Sequence, residues 1–402
     1  MTSDFKGDEM SLNDKVSAER IHIAFFGLRN AGKSSVVNTI TNQELSVVSD
    51  VKGTTTDPVK KAMELLPIGP VVIIDTAGID DEGDLGELRV KKTINILNKT
   101  DIAILIVDAT KGLQQEDLKL IEDFKKRNIP YIIAFNKCDL TTEQQSPEQN
   151  EIYISAKENI NINELKELIG KLSKTNENEK TLLGDIIKSN DTVVLVTPID
   201  SSAPKGRLIL PQQQTIRELL DIGATVVVTK DTELEETLAK LKNPPTLVIT
   251  DSQAFKKVSA IVPQNVELTS FSILFARYKG ELWGAVKGAD ELDNLQDGDC
   301  VLISEGCTHH RQCGDIGTEK LPNWIKNYTK KDVKFDFTSG GDFPENLEKY
   351  KLIVHCGACM LTEREMKSRI ALATEKQIPI SNYGIIIAKI NGILERAIKP
   401  LL

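Results

Sequence analysis

Cysteine and histidine are scarce in this chain of 402 residues, which has six copies of the first and four of the second. So few thiols cannot form the dense disulfide framework of a small secreted domain. A chain of this length also buries enough apolar surface to fold without disulfides. Where cysteines nevertheless cluster in such a chain, metal ligation is the more typical use.

Long apolar runs are missing as well. The densest run, Ile102 to Val107, has the length of a strand, whereas a membrane helix needs about 18 apolar residues or more. Residues 1–20 carry acidic side chains and no apolar stretch of the signal-peptide kind. We therefore expect a cytoplasmic protein with no membrane partner.

The chain also lacks an excess of positive charge, since 50 Lys and Arg face 59 Asp and Glu and the net charge is −9. Proteins that bind a nucleic-acid duplex usually carry a strong basic surface, so we expect no nucleic-acid partner. Apolar residues make up 40% and charged residues 27%, which is ordinary for a folded domain. At roughly 150 residues per domain, the length suggests two to three domains.

Strand-like and helix-like segments alternate from residue 21 to about residue 173. The strand-like segments are IHIAFFG, VVIID, IAILIVDA, YIIAFNK and IYISA, and helices are expected at 34–41, 88–98, 114–127 and 163–172. Short β-branched strands that alternate with helices are typical of a doubly wound α/β domain with a mostly parallel sheet. The polar residues 173–180 indicate a linker.

Two further, smaller α/β domains are expected after this linker. Strands are predicted in TVVLVTPI, ATVVVT, TLVIT, CVLIS and YKLIVH, and helices at 212–220, 233–241, 362–377 and 392–397. We therefore divide the chain into an N-terminal tail (1–20), the first α/β domain (21–175), a middle domain (178–265) and a C-terminal domain (266–402).

Residues 27–34, GLRNAGKS, follow an apolar strand and precede a helix, and they fit the phosphate-binding pattern G-x-x-x-x-G-K-[ST]. Glycines let backbone N–H groups approach phosphates, and the N-terminus of the helix adds partial positive charge. Lys33 is expected to reach the β- and γ-phosphates, and the Ser34 hydroxyl to bind Mg²⁺. The expected phosphate-binding residues are Gly27, Asn30, Ala31, Gly32, Lys33, Ser34 and Ser35.

A second motif, Asp75-Thr-Ala-Gly78, ends the strand VVIID. An acid in this place holds Mg²⁺ through water, and the Gly78 amide faces a γ-phosphate. A strand that simply ends in a D-x-x-G turn is the alternative for this motif taken alone.

Two motifs that recognise a base follow the last two strands of the first domain. In Asn136-Lys137-Cys138-Asp139, the carboxylate of Asp139 accepts two hydrogen bonds from guanine, for which adenine has no matching donors. Ser155-Ala156-Lys157 is expected to close over the base. Four motifs in this order, each at the carboxyl end of a strand, indicate a GTPase domain that binds GTP and GDP.

Residues 20–173 resemble the GTPase domains of the MnmE/TrmE-like and Era-like proteins. Gly53-Thr-Thr-Thr-Asp57 is similar to their switch I, in which Thr55 would bind Mg²⁺ in the GTP state. Ile79 stands where Ras-like enzymes have a water-positioning glutamine, and Asn30 resembles an asparagine that holds an activating K⁺. The resemblance implies Mg²⁺-dependent, K⁺-activated hydrolysis with Asn30, Lys33, Thr55 and Gly78 as catalytic residues. The alternative for Asn30 is a plain turn residue.

The other chemically notable cluster lies in the last quarter of the chain, as Cys307-Thr-His309 and His355-Cys356-Gly-Ala-Cys359. Each half follows an apolar strand, so both are expected at the carboxyl edge of a parallel sheet. Three thiolates with an imidazole suit Zn²⁺ and equally a 4Fe–4S cluster with one labile position. Isolated redox cysteines are the third alternative. We expect Cys138 and Cys300 to be passive buried thiols.

The order of GTPase domain, middle domain and C-x-H followed by H-C-x-x-C resembles the HydF family of FeFe-hydrogenase maturation GTPases. The resemblance implies a 4Fe–4S cluster held by Cys307, Cys356 and Cys359, with His309 and His355 as the histidines of the motif. Its fourth position would be exchangeable, and Asp315 or Glu319 is an alternative ligand there. Cys313 has no counterpart in the family motif. The resemblance also implies that residues 178–265 mediate dimerisation and residues 266–402 bind the cluster.

The function implied by this resemblance is that of a scaffold and carrier. A homodimer would accept a di-iron precursor of the hydrogenase H-cluster from the radical-SAM maturases HydE and HydG and deliver it to apo FeFe-hydrogenase. Two other readings stay open on the residues alone. One is a regulatory GTPase of ribosome or tRNA biology with a structural zinc domain, and the other is a redox enzyme that uses GTP for assembly.

Overall fold

The structure is a computed structural model that describes residues 20–43, 59–76, 93–141, 146–175, 181–199, 208–280, 282–306, 315–344 and 346–402. The chain divides into two compact units, one within Met1–Asn178 and the other within Glu179–Leu402. Both combine helices with largely parallel sheets, which confirms the predicted α/β class. No helix within the described ranges is long and apolar enough to span a bilayer.

The first unit is built on a six-stranded sheet in the order β2-β3-β1-β4-β5-β6, parallel except for the antiparallel edge strand β2. The strands are β1 (Ile21–Phe26), β2 (Val59–Leu65), β3 (Gly69–Asp75), β4 (Ile102–Asp108), β5 (Tyr131–Asn136) and β6 (Glu151–Tyr153). Its helices include α1 (Lys33–Thr41), α2 (Gln115–Lys126) and α3 (Ile162–Thr175).

Side chains from the two faces of this sheet enter two separate cores. Along β1, Ile23 and Phe25 belong to one core, and Ala24 and Phe26 belong to the other. Because both faces are covered, the central strands are continuous apolar runs, as in other parallel sheets. The predicted strands of this unit are confirmed, whereas the edge strand β2, whose lysines are exposed, was not predicted.

The second unit contains two four-stranded sheets, both parallel throughout, in the orders β10-β9-β7-β8 and β12-β11-β13-β14. Their strands are β7 (Thr192–Val196), β8 (Thr225–Thr229), β9 (Leu247–Thr250), β10 (Glu267–Ser270), β11 (Cys300–Glu305), β12 (Lys334–Ser339), β13 (Leu352–His355) and β14 (Ile380–Asn382). The helices are α4 (Leu210–Ile222), α5 (Leu234–Lys240), α6 (Phe255–Ile261), α7 (Phe271–Lys279), α8 (Leu282–Ala289), α9 (Leu321–Thr329), α10 (Glu363–Glu375), α11 (Tyr383–Ile390) and α12 (Leu394–Ile398).

One hydrophobic core joins the two sheets of the second unit. It contains Leu195 and Ile249 from the first sheet together with Ile303 and Val354 from the second. Strand β10 pairs with β9, so the first sheet continues to Ser270, beyond the predicted end of the middle domain at residue 265. The predicted domain boundary itself stays a prediction. The shared core fixes the second sheet against the helices that follow β10.

Candidate functional site

Two glycines shape the loop between β1 and α1. Gly27 has φ 144° and Gly32 has φ 90°, which side chains rarely tolerate. A Cβ on Gly27 would collide with the carbonyl oxygen of Ile106, and one on Gly32 would collide with the amide of Asn136. Only glycine fits at these two positions, because any side chain would collide with β4 or with the Asn136 side chain. The loop between them leads into the N-terminus of α1.

Lys33 and Ser34 occupy the first turn of α1, followed by Ser35. Lys33 is 8% exposed, and its Nζ donates to the carbonyl oxygen of Gly27 at 3.2 Å. The Ser34 hydroxyl donates to Oδ2 of Asp75 at 3.0 Å. The other carboxylate oxygen of Asp75, Oδ1, is buried and has no hydrogen-bond partner among the described atoms. A hydroxyl beside a buried carboxylate with an unsatisfied oxygen fits a hard divalent cation such as Mg²⁺.

Asn136 joins the phosphate loop to the segment that follows β6. Its side chain is 3% exposed; Nδ2 donates to the carbonyl oxygen of Ala31 at 2.9 Å, and Oδ1 accepts from the amide of Ala156 at 3.1 Å. Asp139, the predicted guanine-binding residue, is exposed. The structure therefore brings together the three predicted motifs that the described residues contain in full.

The motif after β6 is built around a buried serine. Ser155 is 0% exposed, and its hydroxyl accepts from the amide of Glu158 at 3.1 Å. Lys157 is exposed and lies 3.3 Å from the Glu158 carboxylate. This turn presents the Ala156 amide to Asn136.

Asp108, the last residue of β4, is a site residue that the motif analysis missed. Its carboxylate accepts from Lys137 Nζ at 2.6 Å, from the Thr110 amide at 3.0 Å and from the Thr110 hydroxyl at 2.6 Å. Lys137 also donates to the carbonyl oxygen of Asn30 at 2.6 Å. Burial alone would raise the pKa of Asp108, but the hydrogen bonds and charge of Lys137 and the Thr110 donors outweigh it and lower that pKa. An acid that ends a buried strand beside the nucleotide motifs was the available signal.

The cysteine turn follows strand β13. The Sγ atom of Cys356 accepts from the amide of Gly306 at 3.0 Å and from the amide of Ala358 at 3.4 Å. Ala358 has φ 54°, a left-handed conformation that bends the chain back toward Cys359. Gly306 directly precedes Cys307, and β11 pairs with β13. The structure thus confirms that the two strands carrying the cysteine motifs are neighbours.

Both described thiols of this turn are electrostatically unfavourable as free thiolates. Burial raises the pKa of Cys356 to about 11, an effect that the amides of Gly306 and Ala358 only partly oppose. Burial also raises the pKa of Cys359, against the lowering effect of the nearby Lys279 charge. Metal ligation needs thiolates, and a bound metal supplies the positive charge that stabilises them. Together with the two N–H···S hydrogen bonds, this donor set fits a metal or iron–sulfur centre.

Four predicted site residues lie outside the described residues, namely Thr55, Gly78, Cys307 and His309, and so does Cys313, for which no role was predicted. Among the described residues, no group of three or more Cys, His, Asp or Glu is arranged to hold a metal ion. Only Cys356 and Cys359 of the three predicted thiolate ligands belong to that part of the chain. The full ligand set therefore stays a prediction.

His355 is 0% exposed and engages both of its ring nitrogens. Nη1 of Arg369 lies 2.9 Å from Nε2, and Nδ1 lies 3.0 Å from the carbonyl oxygen of Cys356. Because a guanidinium only donates, Nε2 accepts and Nδ1 carries the proton. Burial, followed by the charge of Arg369, lowers the pKa of His355 to about 3. Ligation of iron by His355 would have to break one of these hydrogen bonds, and its ligand role stays a prediction.

The carboxylates near this turn differ in availability. Asp315 uses Oδ2 to accept from the Gly317 amide, the Thr318 amide and the Thr318 hydroxyl at 2.9–3.0 Å, so it caps the following helical turn. Glu319 is exposed. Glu305, the last residue of β11, is 3% exposed and lies 3.4 Å from the Tyr383 hydroxyl. Sequence reasoning missed Glu305, although its place just before Gly306 and Cys307 was a usable signal.

The remaining two cysteines of the described residues lie apart from the turn. Cys138 is buried, as expected, after β5. Cys300 is half-buried and not buried as expected, because it is the first residue of β11, at the opposite end of that strand from Gly306. Neither thiol adds a donor to the cysteine turn.

Three family models match the chain. The models are the 50S ribosome-binding GTPase over residues 22–137, the hydrogen maturase F dimerization domain over residues 182–280 and the hydrogen maturase F tetramerization domain over residues 283–400. The two hydrogen maturase F models together cover more than half of the chain. The match to a GTPase model agrees with the nucleotide motifs.

Curated relatives resemble only the first part of the chain. The tRNA modification GTPase MnmE of Desulforamulus reducens is 33% identical over 163 residues, 40% of this chain and 35% of that protein. The protein of the same name from Francisella tularensis subsp. novicida is 36% identical over 172 residues, 41% of this chain and 38% of that protein. The chain thus spans little more than a third of the length of these relatives.

Matches among solved structures include the following two proteins. Era in complex with MgGDPNP and nucleotides of 16S ribosomal RNA is 20% identical, with a TM-score of 0.34, and the match covers 52% of this chain and 91% of that chain. A probable GTP-binding protein engB is 23% identical, with a TM-score of 0.32, over 38% of this chain and 99% of that chain.

Proposed function

Since this chain belongs to the hydrogen maturase F family, we propose that it is a GTP-hydrolysing scaffold that carries a 4Fe–4S cluster. On that cluster it would receive a di-iron precursor of the hydrogenase H-cluster and later deliver it to apo FeFe-hydrogenase. The single observation that carries the proposal is the cysteine turn of Cys356 and Cys359, whose first sulfur contacts the amide of Gly306 next to Cys307. The matched models by themselves support a hydrogenase-maturation GTPase.

In the nucleotide site, Lys33 is proposed to leave the Gly27 carbonyl oxygen and bind the β- and γ-phosphates. Ser34 and Asp75 would hold Mg²⁺, and the unsatisfied Oδ1 of Asp75 supports this assignment. When bound, Mg²⁺ neutralises charge on the β- and γ-phosphate oxygens. Thr55 and Gly78 complete the proposed catalytic set.

Monovalent-ion activation is proposed at Asn30. This residue has φ 61°, and its carbonyl oxygen accepts from Lys137, so the loop is held in one conformation. The backbone therefore holds Asn30 in a defined position, which a K⁺ ligand requires. A fixed cation next to the phosphates stabilises charge that develops in the transition state.

At the cysteine turn, Cys307, Cys356 and Cys359 are proposed to hold three irons of the cubane. A cluster with one non-cysteine ligand supplies an exchangeable coordination position. His309 is our choice for that position, because both ring nitrogens of His355 already have partners. The amides of Gly306 and Ala358 hydrogen-bond to Cys356 sulfur and would stabilise its thiolate.

The proposed partners are a second copy of the chain, the radical-SAM maturases HydE and HydG and apo FeFe-hydrogenase, all in the cytoplasm. Binding and hydrolysis of GTP would change the switch segments and so change which partner is held. The names of the matched dimerization and tetramerization models support self-association.

Metal analysis of protein purified without oxygen tests this function. We expect iron and sulfide in equal amounts, lost in Cys307→Ser, Cys356→Ser and Cys359→Ser. Cys300→Ser is the matched control, because this thiol lies at the other end of β11, and it should retain iron. Stoichiometric zinc without sulfide would instead favour a regulatory GTPase with a structural zinc domain and would refute the scaffold proposal.

A further inference from the structure

Lys279 is the last residue of helix α7, and its side chain points under the cysteine turn. The residue is 4% exposed, and Nζ donates to the carbonyl oxygens of Leu361 at 3.0 Å, Cys359 at 3.3 Å and Ala358 at 3.4 Å. It also lies 5.9 Å from the centre of the Phe275 ring. One buried ammonium group thus binds three carbonyl oxygens between residues 358 and 361.

The hydrogen bonds of Lys279 connect the two regions of the second unit that the two hydrogen maturase F models match. Lys279 belongs to the part matched by the dimerization model, and the three carbonyl groups belong to the part matched by the tetramerization model. Lys279 also lines a cavity of about 340 Å³ together with Cys356, Gly357 and Ala358. The cation therefore lies at the same cavity as the cysteine turn.

The charge of Lys279 lies close to a proposed ligand residue, because Nζ is 3.3 Å from the carbonyl oxygen of Cys359. A positive charge that favours a thiolate also favours any further negative charge at the same place, and interactions between charges strengthen where water is excluded.

We propose that Lys279 is a positioning residue for the Cys356–Cys359 turn and that its charge raises the reduction potential of the 4Fe–4S cluster held there. This inference rests on the function proposed above. Reduction adds one electron to the cluster, and a nearby fixed cation stabilises the reduced form. Net charge and hydrogen bonding around the cluster are among the factors that set its potential.

Three substitutions separate the charge from the hydrogen bonds. Lys279→Met keeps the length of the side chain but removes both, Lys279→Gln keeps a donor without the charge, and Lys279→Arg keeps the charge and its donors. Lys287→Met is the matched control, because Lys287 lines the same cavity but is exposed. Circular dichroism checks that each variant is folded.

The measurement is a redox titration of anaerobically purified protein, followed by EPR of the reduced cluster, with iron content determined on the same samples. We expect a lower potential in Lys279→Met and Lys279→Gln, and a potential close to that of the wild type in Lys279→Arg and Lys287→Met. If Lys279→Met loses its iron, the potentials of Lys279→Gln and Lys279→Arg still test the role of the charge, since only the first of these should be lowered.

The outcomes distinguish this inference from the function on which it rests. Wild-type protein without iron would overturn the proposed function and this inference together. Wild-type protein with iron, but with an unchanged potential in both Lys279→Gln and Lys279→Met, would overturn the role of Lys279 alone. Loss of iron from Lys279→Arg would also contradict a role for the charge. The same holds if the potential of Lys279→Arg is lowered as much as that of Lys279→Met.

Discussion

Selection of guanine is expected to depend on Asp139, which is exposed beside the Asn136 link. Asp139→Ala should weaken GTP binding by about 2 kcal/mol, roughly 30-fold, since hydrogen bonds to a charged group are lost. ATP binding, which gains nothing from that carboxylate, should not weaken. Titration with fluorescent GTP and ATP analogues measures the two affinities. Glu116→Ala is the control, because Glu116 is an exposed acid on α2. Equal GTP affinity in Asp139→Ala and wild type would contradict the assignment.

Potassium dependence is expected to reside in the side chain of Asn30. Asn30→Gly removes that side chain but tolerates the left-handed backbone, φ 61°, so backbone strain does not confuse the result. Hydrolysis in K⁺ should fall to the rate in Na⁺ at equal ionic strength, a loss of about tenfold or more if one transition-state contact is lost. Asn42→Gly, also at a left-handed position (φ 51°), should keep the K⁺ effect. A K⁺ effect that survives in Asn30→Gly would leave Asn30 as a turn residue.

The Asp108 carboxylate should stabilise the nucleotide-binding unit in a pH-dependent way. Its pKa is lowered from the ordinary 3.8, so its contribution is fully present above that value and is lost as the pH falls through the lowered pKa. Asp108→Asn should therefore reduce stability by about 1 kcal/mol near neutral pH, and the difference should shrink as the pH falls through the lowered pKa of Asp108. Urea unfolding, followed by release of a fluorescent GDP analogue, measures it. Asp123→Asn, an exposed acid on α2, should have little effect, and a difference that grows on acidification would refute the prediction.

Helix α10 carries two ion pairs with the same spacing but different burial. Arg369 and Glu365 are buried at 3.0 Å, with side chains 4% and 8% exposed, and Arg369 also donates to the Gly340 carbonyl oxygen and to His355. Lys367 and Glu363 form a second pair two residues before them, with side chains 60% and 34% exposed. The two pairs allow a matched comparison on a single helix.

Removal of the buried cation should cost far more than removal of the exposed one. Arg369→Met removes the cation that lies beside the buried Glu365 carboxylate, which should destabilise the second unit by about 3–5 kcal/mol. Lys367→Met should cost less than about 1 kcal/mol. Tryptophan fluorescence during urea unfolding reports on this unit, because Trp283 and Trp324 both belong to it. Similar unfolding midpoints for the two variants would contradict the prediction.

The sequence predicts those elements best whose side-chain pattern has one clear cause. Strands such as β4, buried on both faces, appear as apolar runs, and the nucleotide motifs follow directly from their carboxyl ends. Helix α11, YGIIIAKI, is buried on nearly all sides, so it lacks the polar face that would mark a helix and its isoleucines favour a strand. The contacts of Lys279 with the cysteine turn and of Asp108 with Lys137 join segments that are distant in the chain, so a local pattern does not predict these partners.

At the scale of the whole molecule, β8 is an edge strand of the first sheet in the described part of the second unit. The N–H group of Thr225 donates to the carbonyl oxygen of Asp191, and the carbonyl oxygen of Thr229 accepts from the N–H group of Thr197. Both residues of β8 therefore direct their backbone groups toward β7. Because successive residues of a strand direct these groups to opposite sides, those of Val226 and Val228 face outward. Val228 is 45% exposed, and Leu220 on the adjacent helix α4 is 59% exposed. An apolar edge strand of this kind is a template for pairing with a second chain.

We therefore expect the dimer to form through β8. Val228→Pro removes an outward N–H group without touching the bonds to β7, so it should shift the protein to a smaller species at micromolar concentration. Val228→Thr keeps that N–H group and a β-branched side chain, and it should associate like the wild type. Light scattering coupled to size-exclusion chromatography over a dilution series measures the mass of each. A Val228→Pro variant that is folded by circular dichroism and keeps the wild-type mass would exclude β8 as the interface, and self-association would then have to use another face of the second unit.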